Sequence, residues 1–140
     1  MNRSLLERFN HAVSGIIIAF RTERNFKIHY TIAILVILLS LFFDFSRIEF
    51  LLLLFSISLV IVSEMINTAI ERTIDLITQD YHPLARLVKD VSAGAVLISA
   101  MNSIIVGYLL FFDRLSSFGE LLLFKIRRSS IHLTFIALFI

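Results

Sequence analysis

The stretch FLLLLFSISLVIVSEMINTAIERTID, residues 50–75, decides how this chain is read. Its first half, residues 50–62, is almost wholly apolar, and its second half carries Glu64, Asn67, Glu71 and Asp75. At roughly 100° per residue, those four positions fall within an arc of about 80° on a helix. Acids and an amide therefore share one face, just where a membrane helix leaves the bilayer. Acids near lipid are costly and usually functional. Clustered carboxylates without cysteine or a histidine pair favour a hard cation such as Mg²⁺.

The rest of the composition agrees with a membrane setting. Of 140 residues, 58% are hydrophobic and 14 are Phe, and the mean hydropathy is +0.89. That is too apolar for a soluble domain of this length. One Pro and four Gly leave little room for β-turns, so an all-α integral membrane protein is expected. Without cysteine there are neither disulfides nor thiolate metal sites. The net charge of +2 is small and the basic residues are dispersed, with no basic patch interleaved with aromatics to bind nucleic acid. The N-terminus does not read as a signal peptide, because its apolar residues are periodic and Glu7, Arg8 and Arg21 interrupt them.

Leu5, Leu6, Phe9, Ala12, Val13, Ile16, Ile17 and Phe20 recur at helical spacing, with Arg8, His11 and Ser14 off the stripe. This predicts an amphipathic helix lying among the lipid headgroups. Three spanning helices follow, over about 28–43, about 48–62 (continuing polar-faced to 77) and about 91–112. A hydrocarbon core of about 30 Å needs about 20 helical residues, so the first is slightly short and the second projects beyond the bilayer. Arg3, Arg8, Arg21, Arg24 and Lys27 lie before the first span, and Arg72, Arg86 and Lys89 between the second and third. The positive-inside rule puts both regions, and hence the acidic face, in the cytoplasm. Ala95, Ser99, Ser103 and Gly107 repeat every four residues, a spacing that lets helices approach closely in lipid.

Residues 1–114 read as one membrane domain and residues 115–140 as a C-terminal extension. The apolar run from Ile131 to Ile140 would rise about 15 Å as a helix, about half a bilayer. A fourth span that starts and stops there suggests a fragment or a truncated chain. Lys125, Arg127 and Arg128 would then lie outside, against the positive-inside rule.

Three polar clusters face the cytoplasmic boundary: Glu23 at the end of the surface helix, the face from Glu64 to Asp75, and Lys89-Asp90 opening the last span. Phosphoryl transfer needs divalent metal on the nucleotide phosphates, a cation for the transferred charge and a group to deprotonate the nucleophile. Carboxylates, Asn and Lys supply such a set. No P-loop and no kinase Gly-rich loop is present, so spacing speaks for a metal site at a membrane edge more than for a kinase.

These motifs resemble the prokaryotic diacylglycerol kinase family, small membrane lipid kinases that include the undecaprenol kinases of Gram-positive bacteria. The pattern E-x-x-N-[ST]-A-I-E-x-x-x-D stands at residues 64–75, followed by Tyr81-His82, by Lys89-Asp90 and by SAGAVL at residues 92–97. Upstream, ERNFKIH at residues 23–29 matches the family's first-helix junction. The resemblance covers about residues 5–112. It implies an amphipathic surface helix plus three transmembrane helices, a homotrimer with active sites between subunits, and a location in the bacterial inner membrane. It further implies that Glu23 and Glu71 hold the Mg²⁺ that accompanies ATP, and that Glu64 is the general base for the lipid hydroxyl. Asn67 would orient Glu64 or a phosphate oxygen, Lys89 would neutralise phosphate charge, and Asp75 and Asp90 would position Lys89 or the nucleotide. His29, where other members carry an acid, resembles the Gram-positive branch and favours undecaprenol over diacylglycerol as acceptor.

Each residue also has a plainer reading. Glu23 could pair with Lys27 at i+4, Asp75 with Arg72, and Asn67 could be packing glue between helices. His29 could be an ordinary interfacial histidine. At the level of the whole chain the alternatives are a non-catalytic membrane scaffold, the kinase-like part of a fusion with a lipid-phosphatase domain, or a small ion channel or transporter subunit. The last should carry polar residues along the bilayer centre, where residues 50–62 offer only Ser56 and Ser58.

Overall fold

A computed structural model describes residues 4–138, with side chains to Ser117. The described chain is four helices: α1 (Leu5–Thr22), α2 (Arg24–Ser40), α3 (Arg47–Ile77) and α4 (Pro83–Leu138). Arg3 and Ile140, which entered the topology and truncation arguments, lie outside the described residues.

Local sequence sets most helix ends. At the start of α1, Ser4 Oγ accepts from the Glu7 amide at 3.3 Å while Glu7 reaches back to the Ser4 amide at 3.0 Å. Ser46 and Glu49 repeat this capping box at the start of α3, at 3.3 and 2.8 Å. Thr78 turns extended to end α3, and Pro83 opens α4, where its missing N–H is harmless. Between α1 and α2 a single extended residue, Glu23 (φ −96°, ψ 122°), forms the joint. Phe20, Phe26 and Tyr30 brace it: Phe26 is fully buried and stacks on Tyr30 at 6.2 Å, with Phe20 edge-on to both.

Two expectations need correcting. The first apolar helix begins at Arg24 and ends at Ser40 rather than running over 28–43, because the joint at Glu23 lets the helix start directly after it. The last helix starts at Pro83, not near 91, and its backbone continues past Arg114 to Leu138 instead of breaking before a new segment. No Gly-Pro or turn chemistry interrupts it. At about 1.5 Å per residue α4 is about 84 Å long, more than twice a hydrocarbon core, so one straight helix of this length cannot lie wholly within a bilayer. Side chains of Lys125, Arg127 and Arg128 lie outside the described ones.

The helices turn outward many large apolar side chains that a soluble bundle would bury. Among the described residues, the buried set includes Ser40, Ser56, Glu64, Asn67, Ser92 and Ser99, whereas Leu51, Phe55, Ile104 and Leu109 point outward and are mostly exposed. Arg47–Ile77 and Pro83–Ser117 are long and apolar enough to cross a membrane. An outward shell of Leu, Ile and Phe around helix contacts that mix polar and apolar side chains is what lipid as solvent selects. The α3–α4 contact is the most extensive in the chain. Leu53, Leu110 and Phe111 form its apolar centre, with Val36, Phe43 and Phe45 packed against it. Beside this cluster, at the start of α3, Arg114 donates to Glu49 Oε1 at 2.8 Å and to the Leu110 carbonyl at 2.6 Å while lying 4.4 Å over the Phe45 ring. This ties the α2–α3 connection to α4.

Leu53→Ala removes a side chain only 2% exposed, whereas Phe55→Ala trims one that is 69% exposed. In lipid the transfer contribution to a core truncation is small, leaving the cavity contribution, so Leu53→Ala is expected to destabilise by about 2 kcal/mol, the low end for such changes. Phe55→Ala should be near neutral. Unfolding by SDS titration in mixed micelles measures both, and equal losses would contradict the assigned inner and outer faces.

Candidate active site

The last turns of α3 extend past its apolar run and carry Glu64, Asn67, Glu71 and Asp75 along one side. Glu64 is 3% exposed and Asn67 is 6% exposed. The Asn67 side chain is used at both ends. Its Nδ2 donates to Glu71 Oε1 at 3.1 Å, and its Oδ1 accepts from the Ser92 hydroxyl of α4 at 2.6 Å. Asn67 thus steadies Glu71 rather than Glu64, and it also serves as interhelical glue. One turn earlier, Ser63 and Ser99 share a 2.8 Å hydrogen bond, so the small-residue stripe of α4 does make close contact.

Further along α3, Lys89 donates to Asp75 Oδ1 at 2.5 Å. The pairing of Asp75 with Arg72 expected as the plain alternative does not occur. Arg72 instead reaches back 49 residues in sequence to Glu23 Oε1 at 2.6 Å. The expected Glu23–Lys27 side-chain pair is absent too, because the exit of the chain at the joint turns the Glu23 carboxylate toward α3. Thr22 adds a hydroxyl donor to the same oxygen at 2.9 Å. The hydrogen bond from Arg72, then that from Thr22, hold the Glu23 carboxyl below its ordinary value of 4.5. Asp90 does not join the cluster. It faces Arg86 one turn earlier at 3.7 Å, both well exposed.

The joint and α3 bring Glu23, Glu64 and Glu71 within electrostatic range of one another, with His29 of α2 also close enough to act on Glu64. His29 lines a cavity of about 420 Å³ between α2, α3 and α4 that runs past Val60 toward Leu53 and Phe111. Its α3 lining lies about one to three turns from Glu64, and its walls are almost entirely apolar. That volume is within the range of small-molecule sites. An apolar slot whose α3 lining stops at Ile61, about one turn before the buried Glu64, suits a molecule with one polar head and a hydrocarbon tail. Sequence reading missed Arg72 as a site residue, Ser92 as the partner of Asn67, and the cavity. Arg72 lies inside the 64–75 motif, but only its charge was legible there.

An outward apolar shell, a surface-type helix and a carboxylate-rich end beside an apolar slot define a membrane-associated helical enzyme acting on an amphiphile. Comparison with known proteins makes this specific. Residues 10–111 match the family described as prokaryotic diacylglycerol kinase. The chain is 42% identical over 115 residues to the undecaprenol kinase of Bacillus subtilis (strain 168), covering 82% of this chain and 93% of that protein. It is 40% identical over 105 residues to the diacylglycerol kinase of Synechocystis sp., covering 74% of this chain and 60% of that protein. With the diacylglycerol kinase of Haemophilus influenzae the identity is 30% over 109 residues, 77% of this chain and 92% of that protein. The chain belongs to the prokaryotic diacylglycerol kinase family and is a lipid kinase, which brings ATP as co-substrate.

Because its folded pKa is depressed, Glu23 contributes stability that is fully present above 4.5 and is lost as the pH falls through the folded value. The difference in thermal stability between the unmodified protein and Glu23→Gln is therefore expected at neutral pH, should shrink as the pH falls below 4.5 and should disappear once it is below the folded value. Circular-dichroism melts from pH 7 to pH 3 in one detergent measure it. A difference that grew with acid would contradict the pairing.

Proposed function

We propose that this chain transfers the γ-phosphoryl group of ATP to the hydroxyl of a membrane lipid, with undecaprenol favoured over diacylglycerol. The observation that carries this reading is Glu64, a buried carboxylate about one turn past the cavity-lining Ile61, with the Asn67–Glu71 pair one and two turns further along α3. The hydroxyl-bearing end of the lipid tail occupies the cavity, the rest of the tail lies in the bilayer, and the hydroxyl meets Glu64. Glu64 takes the hydroxyl proton as the oxygen bonds the γ-phosphorus. The bond from that phosphorus to the ADP oxygen breaks, leaving lipid monophosphate and ADP. The name of the Bacillus subtilis relative, and a His at position 29 as in the Gram-positive branch that the sequence resembles, favour undecaprenol.

Among the described residues, no three acids or histidines lie close enough to cage a metal by themselves. Mg²⁺ does not require that, since it is held by one or two carboxylates plus substrate phosphates and retained waters. Glu71, presented by Asn67, and Glu23 at the joint are oxygen donors of that kind and would hold it. When bound, the ion neutralises charge on the β- and γ-phosphates. Lys89, placed by Asp75, faces the nucleotide phosphates, while Asp90, turned to Arg86, is left out of nucleotide contact.

In this reading residues 1–114 are the kinase domain, which the match over 10–111 supports, and residues 115–140 an extension. The 17 residues of α2 rise about 26 Å and act as a third span beside α3 and α4. The distribution of Lys and Arg puts the carboxylate-rich end on the cytoplasmic side of the inner membrane, where ATP is available. A homotrimer with sites shared between subunits follows from the family resemblance.

Purified protein in detergent, given labelled ATP with undecaprenol, diacylglycerol and ceramide side by side, is expected to label undecaprenol most. Label on none of the three would remove the enzyme reading. Glu64→Gln should lower turnover by about 10²- to 10⁴-fold, the usual worth of a general base, while still binding nucleotide. Substantial activity in that variant would rule out Glu64 as the base. Glu71→Ala is expected to raise, several-fold, the Mg²⁺ concentration that gives half-maximal rate, and an unchanged Mg²⁺ dependence would contradict its role.

A further inference from the structure

We propose that Arg72 is a phosphate-binding residue of the nucleotide site, held on Glu23 in the nucleotide-free protein and transferred to the polyphosphate when nucleotide arrives. This rests on the kinase reading and extends it to a residue given no part in it so far. The site as described is short of positive charge. Glu64 feels Glu23 and Glu71, Asp75 lies one turn beyond Glu71, and among the described residues the cations bonded to these acids are Lys89 and Arg72. A nucleoside triphosphate adds several negative charges, so binding it demands every cation within reach.

Arg72 has the position and the chemistry for this. It lies on α3 between Glu71 and Asp75 and feels both electrostatically in addition to Glu23. Asp75 already holds Lys89 of α4, so a cation from each helix flanks one carboxylate. The planar fork of a guanidinium matches phosphate oxygens two at a time, which an ammonium does not. The contact that restrains it is weak. The Arg72 side chain is 60% exposed against 22% for Glu23, so water reaches the guanidinium and it can exchange one anion for a more highly charged one. Glu23 is the residue whose carboxylate is needed for metal. Release of Arg72 therefore frees a metal ligand and supplies a phosphate ligand together.

Equilibrium binding of a non-hydrolysable ATP analogue, with EDTA and then with Mg²⁺, tests this without turnover. Arg72→Gln is expected to weaken analogue binding by roughly tenfold or more in both conditions, and Arg72→Lys to restore part of it, since charge returns but the fork does not. Glu23→Gln breaks the same ion pair while leaving Arg72 free, so in EDTA it should bind the analogue at least as tightly as the unmodified protein. If Arg72→Gln binds the analogue normally, or if Glu23→Gln in EDTA is weakened as much as Arg72→Gln, Arg72 acts only as a structural partner and the proposal fails. If the unmodified protein binds no analogue in Mg²⁺, the kinase reading fails with it. Normal binding by the unmodified protein confines failure to Arg72.

Discussion

Three side-chain bonds between α3 and α4 fix the register on which the site depends. Ser63 meets Ser99, Asn67 meets Ser92, and Asp75 meets Lys89, at 2.8, 2.6 and 2.5 Å. The residue numbers rise on α3 as they fall on α4, as an antiparallel pair requires. In lipid, apolar side chains gain little by meeting one another rather than hydrocarbon tails, so packing and hydrogen bonds must align the helices. Sliding α4 by one turn would strand Asn67 and Ser92 away from water. It would also take from Asn67 the Ser92 hydroxyl that orients the amide presented to Glu71, and separate Lys89 from Asp75. The same bonds thus hold the helices together and aim the polar side chains.

The polar end was legible in the sequence to the extent that one helix could display it. The stretch from Glu64 to Asp75 has a fixed face whatever surrounds it, and α3 runs over Arg47–Ile77 much as its apolar and polar halves indicate. Capping boxes at Ser4 and Ser46 are equally local. What escaped was the choice of partners. Arg72 has Asp75 three residues away and pairs with Glu23, 49 residues away, because the joint between α1 and α2 turns Glu23 toward α3. Periodicity describes which residues share a face and carries no information about which distant face arrives opposite. Asp90 illustrates the reverse case: adjacent to Lys89 in sequence, it points the other way and settles on Arg86.

Helix ends were read less well than helix faces. The start of α2 at Arg24 and of α4 at Pro83 both precede the apolar runs that signal a span. A helix begins where its first turn can be capped or relieved of donors, whereas a membrane span begins where water ends. In this chain those two points differ by up to two turns, and the intervening turns carry Lys27 and Lys89. Lys89 sits in that interval of α4 and meets Asp75 on the turns of α3 that run on past its own apolar half.

The bracing of the joint by Phe20, Phe26 and Tyr30 has a bearing on speed. With Phe26 fully buried between its neighbours, the backbone at Glu23 has little freedom to swing α1. The carboxylate itself is still partly exposed and changes partner by turning about its own side-chain bonds. Such rotations take picoseconds to nanoseconds, whereas movements of whole helices take microseconds or longer. Rearrangement at this corner is therefore far faster than turnover in ordinary enzymes, and the slow events in the cycle must lie elsewhere.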